Sequence, residues 1–165
     1  MKHTLYFICP TDGLESVINE EFNGKNYFLT SLGNSISIKG ETIKEIKELI
    51  KEKNITDIHF ILSYDNHIML DAVISQEYKG MTKLNEFYEE IGRQRKRIDR
   101  YWKAPNYQNL VLSNHLNAQI KHLKKYLGRF YFDLDQISGY IYNNEKREFT
   151  KIYSKLICNR LYSLN

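Results

Sequence analysis

The sequence predicts an α/β fold with a central, mostly parallel β-sheet flanked by helices and followed by a C-terminal β-hairpin. Three apolar runs rich in β-forming residues, at 4–9, 26–32 and 55–63, alternate with helical patterns at 14–22 and 41–54. An order of strand, helix, strand, helix and strand is typical of βαβ units, whose helices cover the faces of a parallel sheet.

The individual elements follow from local patterns. The first run, "TLYFIC", ends in the turn signal "PTDG", and Gly24 suits the end of the first helix. The second helix has one apolar stripe with Lys and Glu covering the rest, formed by Ile43, Ile46, Leu49 and Ile50. The third run is almost continuously apolar, which favours a strand buried at the centre of the sheet.

The second half of the chain is mainly helical by the same criteria. Residues 66–103 have a helical pattern with one break near 78–80, and residues 108–127 form a further helix. Two β-rich runs within 136–153 surround "NNEK", which predicts a hairpin. We find no repeat or low-complexity linker, and we expect residues 1–165 to form a single domain.

Composition narrows the class of protein. Hydrophobic residues make up 42% of the chain and charged residues 27%, as in ordinary globular proteins. No apolar run is long enough to cross a membrane, so we expect no membrane association. Two cysteines, Cys9 and Cys158, do not form a disulfide framework, so we expect a cytoplasmic protein. The net charge of +4 conceals an acidic first half and a basic second half.

Polar residues with metal-binding or catalytic chemistry follow two of the predicted strands. The first strand leads into Cys9, Thr11 and Asp12, and the third leads into Tyr64, Asp65 and His67. Ligands of parallel sheets bind at the carboxyl ends of the strands. These side chains, together with Gly33 after the second strand, are therefore our candidates for a pocket.

Three stretches of this sequence resemble the β-class carbonic anhydrases. They are the strand that ends in cysteine, "YFIC"; the helix, strand and turn "ETIKEIKELIKEKNITDIHFILSYDNH"; and the helix and hairpin "LNAQIKHLKKYLGRF…DLDQISGYIYNNEKREFTKIY". The resemblance implies the carbonic anhydrase fold over residues 4–153. It also implies assembly into a homodimer, and the reaction of that family is the zinc-dependent hydration of carbon dioxide.

The zinc-binding motifs of that family are degraded in this chain. The resemblance implies C-x-D-x-R after the first strand, where this chain keeps Cys9 but has Thr11 and Gly13 in place of the aspartate and arginine. It implies H-x-x-C after the third strand, where Tyr64 and His67 stand instead. The family's Arg-Asn-Ala-Gly turn corresponds to "TSLG", which retains Gly33. We therefore expect a protein without a cofactor that has lost hydration and acts as a binding or interaction module, with a small anion or another small molecule as a candidate ligand.

Two alternatives remain open. Cys9, His67 and either Asp12 or Asp65 could form a rebuilt zinc site and support a metal-dependent lyase or hydratase. The basic segment 93–103 could bind nucleic acid through the side chains of Arg93, Arg95, Lys96, Arg97, Arg100 and Trp102. Its cations spread around more than one helix face, which favours a solvated helix over nucleic-acid binding. We expect His115 and His122 to lie on the surface.

Overall fold

The computed structural model describes residues 1–36, 40–78, 80–82, 84–98, 107–128 and 136–152. Five strands form one sheet in the order β2-β1-β3-β4-β5. Their bounds are β1 His3–Ile8, β2 Lys25–Thr30, β3 Asp57–Ser63, β4 Gln136–Asn143 and β5 Glu148–Lys151. All pairings are parallel except that of β4 with β5. This confirms the predicted mostly parallel sheet and its C-terminal hairpin.

The helices lie between and after the strands. They are α1 Glu15–Glu21, α2 Gly40–Lys53, α3 His67–Val73, α4 Asn85–Ile98 and α5 Tyr107–Leu127, and short 3-10 turns cover Pro10–Asp12 and Leu32–Asn34. From β1 the chain passes to β2 on one side of the sheet, and β3 then pairs on the other side of β1. The carboxyl ends of β1 and β3 therefore form the topological switch point, where α/β sheets open a crevice for ligands.

Apolar side chains pack on both faces of the sheet. The larger cluster joins Leu5, Phe7, Phe60 and Leu62 to the buried sides of α2, α3, α4 and α5. The smaller cluster, on the opposite face, contains Tyr6, Ile8, Leu14, Ile18, Ile61 and Tyr142. The predicted stripe on α2 is confirmed, because Ile43, Ile46 and Ile50 are buried and Leu49 packs against the cluster. Helices on one face and a short α1 on the other hold the strand ends in place.

The break predicted near 78–80 in the helical region 66–103 falls between two separate helices, and it is longer than the sequence indicated. Helix α3 ends at Val73, and α4 begins only at Asn85. The Asp71 carboxylate lies near the end of α3, where it accepts hydrogen bonds from the Ser75 hydroxyl at 2.7 Å, from the Glu77 backbone N–H at 2.9 Å and from the Tyr88 hydroxyl. A carboxylate that satisfies backbone donors after a helix stabilises a turn instead of a further helical segment.

One smaller difference concerns the end of a strand. Strand β2 ends at Thr30 rather than at residue 32, because Leu32–Asn34 form a 3-10 turn. Cys158 lies outside the residues that the structure describes. Among the described residues, no helix combines the length and the apolarity that a membrane crossing requires.

A histidine is buried in the smaller core. His59 lies on β3, is 4% exposed, and pairs through Nδ1 with the Ser138 hydroxyl at 2.9 Å. The rings of Tyr6 and Tyr140 pack against it, with centroids 5.5 and 5.3 Å away. Burial lowers the pKa of His59 to about 4, against the opposing effect of the Asp57 carboxylate. The folded protein therefore holds this imidazole in its neutral form.

We predict that the protein loses stability as the pH falls from about 6.5 towards 4. His115 is also fully buried with a pKa lowered to about 4 by burial, so both rings take up protons in the unfolded chain first. As the pH falls through this window, each histidine lowers the free energy of unfolding by at most about 1.4 kcal/mol per pH unit. Above about pH 6.5 neither histidine lowers the free energy of unfolding. Urea denaturation over this pH range measures the slope.

The variant His59→Phe with Ser138→Ala removes the buried polar pair and should give a shallower slope than the wild type. His122→Gln, at an exposed position of α5, is the matched control and should leave the slope unchanged. An unaltered slope in the double variant would contradict the assignment of this pH dependence to His59.

Candidate functional site

The candidate site lies at the switch point, where the sheet order places the ends of three strands side by side. Cys9 follows β1 directly, the turn Leu32–Asn34 follows β2, and His67 begins α3 shortly after β3. The predicted pocket residues therefore share one edge of the sheet. Their side chains divide into a buried thiol cluster and a more open carboxylate network.

Cys9 forms the centre of the thiol cluster. It is 0% exposed, and its Sγ accepts a hydrogen bond from the Gly33 backbone N–H at 3.2 Å. The Thr11 hydroxyl lies 3.0 Å from the same sulfur. The thiol is thus enclosed by two polar groups of its own chain.

Gly33 holds its position because a side chain would not fit there. Its φ of +61° is in the left-handed region, and a Cβ atom would lie 2.6 Å from the Cζ of Phe87. Both constraints favour glycine, which alone lacks a Cβ. The absence of a side chain at Gly33 therefore leaves room for the Phe87 ring beside the backbone whose N–H contacts the Cys9 sulfur.

Asp12 forms the centre of the carboxylate network. Its Oδ2 accepts a hydrogen bond from the Ser63 backbone N–H at 2.8 Å, and its Oδ1 accepts one from Asn66 Nδ2 at 2.6 Å. Asn66 Oδ1 in turn accepts from the Met69 backbone N–H at 2.8 Å and caps α3. Burial raises the pKa of Asp12, against the effect of these donors. The carboxylate ties the end of β1 to the start of α3.

Asp65 belongs to the outer part of the network. It is exposed, and its Oδ1 accepts hydrogen bonds from the Ser63 hydroxyl and from Asn144 Nδ2, the latter at 2.8 Å. The Ser63 hydroxyl is the main cause of the lowered pKa of Asp65. Asn144 lies in the turn between β4 and β5, so Asp65 links the switch point to the hairpin.

Tyr64 and His67 occupy the two positions that the resemblance assigns to zinc ligands, and their surroundings differ. Tyr64 is half-buried and packs against the larger core, while its backbone N–H donates to the Tyr142 carbonyl at 2.7 Å. His67 is exposed as the first residue of α3. The nearby His67 side chain weakly opposes the burial that raises the pKa of Asp12, and it makes a small contribution to the lowered pKa of Asp65.

These donors do not fit a zinc site. Within the described ranges, no group of three or more His, Cys, Asp or Glu side chains is arranged to hold a metal ion. Structural and catalytic zinc sites use at least three protein ligands that converge on one point. Here Cys9 is enclosed by Thr11 and Gly33, whereas the Asp12 oxygens already accept hydrogen bonds from other groups.

Two buried residues of the site were missed by sequence reasoning. Asn34 is 0% exposed and donates from Nδ2 to the carbonyl oxygens of Phe7 at 2.8 Å and Ile61 at 3.0 Å, which bridges β1 and β3. The prediction of a surface position was wrong for His115, which is 0% exposed with Nε2 2.8 Å from the Gly33 carbonyl oxygen. The Gly-Asn pair at 33–34 is typical of a turn, and that pattern does not indicate that Asn34 is buried.

The described cations of the basic segment make separate contacts. Arg93 binds Glu90 at 2.8 Å, and Arg95 donates from Nη1 to the Val73 carbonyl at 2.6 Å, near the end of α3. Lys96 is exposed. The side chain of Arg97 and all of Arg100 and Trp102 lie outside the described residues. Arg93 and Arg95 thus contact different parts of this chain and do not form one continuous basic surface.

Comparison with known proteins identifies the fold. No family model matches the sequence, and no curated protein matches it. Among solved structures, the β-carbonic anhydrase CafD of Aspergillus fumigatus is similar over 93% of this chain and 90% of its own, with a TM-score of 0.71 and 13% sequence identity.

Two further structures agree with this result. One of two tetrameric β-carbonic anhydrases from Sordaria macrospora is 12% identical, with a TM-score of 0.72 over 93% of this chain and 81% of its own. The Coccomyxa β-carbonic anhydrase in complex with acetazolamide is 12% identical, with a TM-score of 0.71 over 99% of this chain and 85% of its own. The chain therefore has the β-carbonic anhydrase fold, in a strongly divergent form.

We predict that Asp12→Ala destabilises the protein by about 2 kcal/mol, because it leaves the Ser63 N–H and the Asn66 amide without an acceptor. Asp65→Ala, at an exposed carboxylate, is the matched control and should cost less than about 1 kcal/mol. Urea unfolding at neutral pH compares the two. Equal losses in both variants would show that the hydrogen bonds of Asp12 do not stabilise the protein more than those of Asp65.

Proposed function

We propose that this protein is a binding module built on the carbonic anhydrase fold, and that it does not hydrate carbon dioxide. The observation that carries this proposal is the state of the Cys9 thiol, which is 0% exposed and contacts the Gly33 N–H and the Thr11 hydroxyl. A thiol held in this way is part of the packing of the site.

The chemistry of hydration supports the same conclusion. A zinc enzyme makes hydroxide near neutral pH by holding the ion with three protein ligands and leaving one position for water. In this chain the position of the second ligand carries Tyr64, whose ring packs against the core, and the third carries His67, which is exposed. The donor set therefore lacks the convergence that the reaction needs.

Self-association and location belong to the same proposal. We expect the chain to form homodimers in the cytoplasm, and the Sordaria macrospora structures, which are tetrameric, support assembly on this fold. A free, buried Cys9 is compatible with a reducing compartment. Measuring the mass of the protein in solution tests the assembly independently of any activity.

We predict that protein purified without chelator contains far less than one zinc per chain and does not accelerate carbon dioxide hydration. Metal analysis and a stopped-flow hydration assay measure the two quantities on the same sample. Stoichiometric zinc together with hydration would refute the proposal. Zinc that is lost in both Cys9→Ser and His67→Ala, without hydration, would support the alternative of a rebuilt metal site.

We also predict that Tyr64→His combined with His67→Cys gains zinc, up to about one ion per chain, because it restores a two-cysteine, one-histidine ligand set around Cys9. The matched control adds Cys9→Ser to these two changes and should lose the gained metal. If the double variant folds but takes up no zinc, the degraded ligand positions are not what prevents metal binding.

A further inference from the structure

A large cleft lies beside the thiol cluster and outside the carboxylate network. Its volume is about 940 Å³, within the range of small-molecule sites. The segment after β2 forms its floor, and α4 and α5 form its walls. The lining includes Ser31, Ser35, Phe87, Arg93, Lys121 and Lys125. The carbonyl of Gly33, whose N–H contacts Cys9, is bound by His115, which also lines the cleft.

The α5 wall of the cleft is basic. Lys121 and Lys125 lie one helical turn apart, both are exposed, and neither forms an ion pair with an Asp or Glu within the described ranges. On the opposite wall, Arg93 binds Glu90 at 2.8 Å. Two ammonium groups on one wall attract an anion, and the low dielectric of a cleft strengthens that attraction.

The net charge of the lining selects the charge of the ligand. Arg93, Lys121 and Lys125 supply three positive charges, and Glu86 and Glu90 supply two negative charges. Together these five side chains leave the cleft with one positive charge in excess. A monoanion such as a carboxylate therefore matches this cleft better than a phosphate dianion, which Glu86 and Glu90 would repel.

The inner end of the cleft adds apolar surface and one hydrogen-bond acceptor. Leu84 and Phe87 are buried there and offer contact area for an apolar body. Because His115 Nε2 faces the Gly33 carbonyl oxygen, that nitrogen must donate, which leaves Nδ1 of the neutral ring as an acceptor. Nδ1 is buried and has no hydrogen-bond partner among the described residues. A buried acceptor of this kind favours a ligand that brings a donor.

We propose that this cleft binds a small organic carboxylate whose apolar body carries a hydroxyl group. The carboxylate contacts Lys121 and Lys125, and the body packs against Leu84 and Phe87. The hydroxyl donates to His115 Nδ1, with a small rotation of the Phe87 ring, which packs edge-on to His115 at 5.5 Å. This assignment deepens the proposed function, on which it rests, by naming the ligand class of the binding module.

Titration followed by amide and side-chain NMR tests the proposal, with para-hydroxyphenylacetate as the probe and para-hydroxyphenylacetamide as its uncharged counterpart. We expect saturable shifts at the cleft residues with the acid, and binding at least about tenfold weaker with the amide. Phenylacetate, which lacks the hydroxyl, should also bind several-fold more weakly. Binding of all three compounds with equal affinity would overturn the proposal.

Variants separate the cleft from general charge effects. Lys121→Gln with Lys125→Gln should weaken binding of the acid by about tenfold or more. Lys124→Gln removes a charge from the same helix at an exposed position outside the cleft lining, and should change the affinity less than twofold. Equal weakening in both variants would overturn the assignment to the cleft.

Two other outcomes would also overturn it. One is the absence of saturable shifts up to millimolar probe. The other is shifts of the cleft residues that follow protein concentration rather than probe, which would show that a second copy of the chain fills the cleft. Either result leaves the zinc and hydration measurements unaffected, so failure of this inference is distinguishable from failure of the proposed function.

Discussion

The structure depends on side-chain hydrogen bonds that join β1 to β3 at their carboxyl ends. Asn34 donates to the carbonyls of Phe7 and Ile61, one on each strand, and Asp12 accepts from the Ser63 backbone N–H. At a topological switch point the chain leaves the two strands in opposite directions, so backbone groups at the strand ends lack partners in the sheet. A buried backbone N–H or C=O group without a hydrogen bond costs free energy of folding. Here the side chains of Asn34 and Asp12 supply those partners.

Similar contacts within the chain determine which donor side chains of the site are available to bind a ligand. Each candidate donor at the switch point takes part in a contact within the chain or faces solvent: Cys9 contacts Gly33 and Thr11, Asp12 contacts Ser63 and Asn66, and His67 is exposed. A large open volume lies in the neighbouring cleft between α4 and α5. Its basic wall and the buried acceptor on His115 support the proposed binding of an organic anion.

Much of the fold could be predicted from the sequence because its cause is local. The apolar stripe of α2 and the apolar run of β3 depend on residues near one another in the chain, and the resemblance placed Cys9 at the end of the first strand. The contacts of Asn34 and His115 could not be predicted in the same way. They join residues 27 and 82 positions apart. In the sequence, a turn asparagine and a helical histidine look the same whether they are solvated or buried.

The most direct test of the central claim is a crystal structure of the wild-type protein grown with zinc in excess, with anomalous data collected at the zinc edge. We predict that the Cys9 sulfur keeps its contacts with the Gly33 N–H and the Thr11 hydroxyl, with no anomalous peak beside it. A zinc peak at a bonding distance of about 2.3 Å from that sulfur, with His67 turned towards it, would contradict the account.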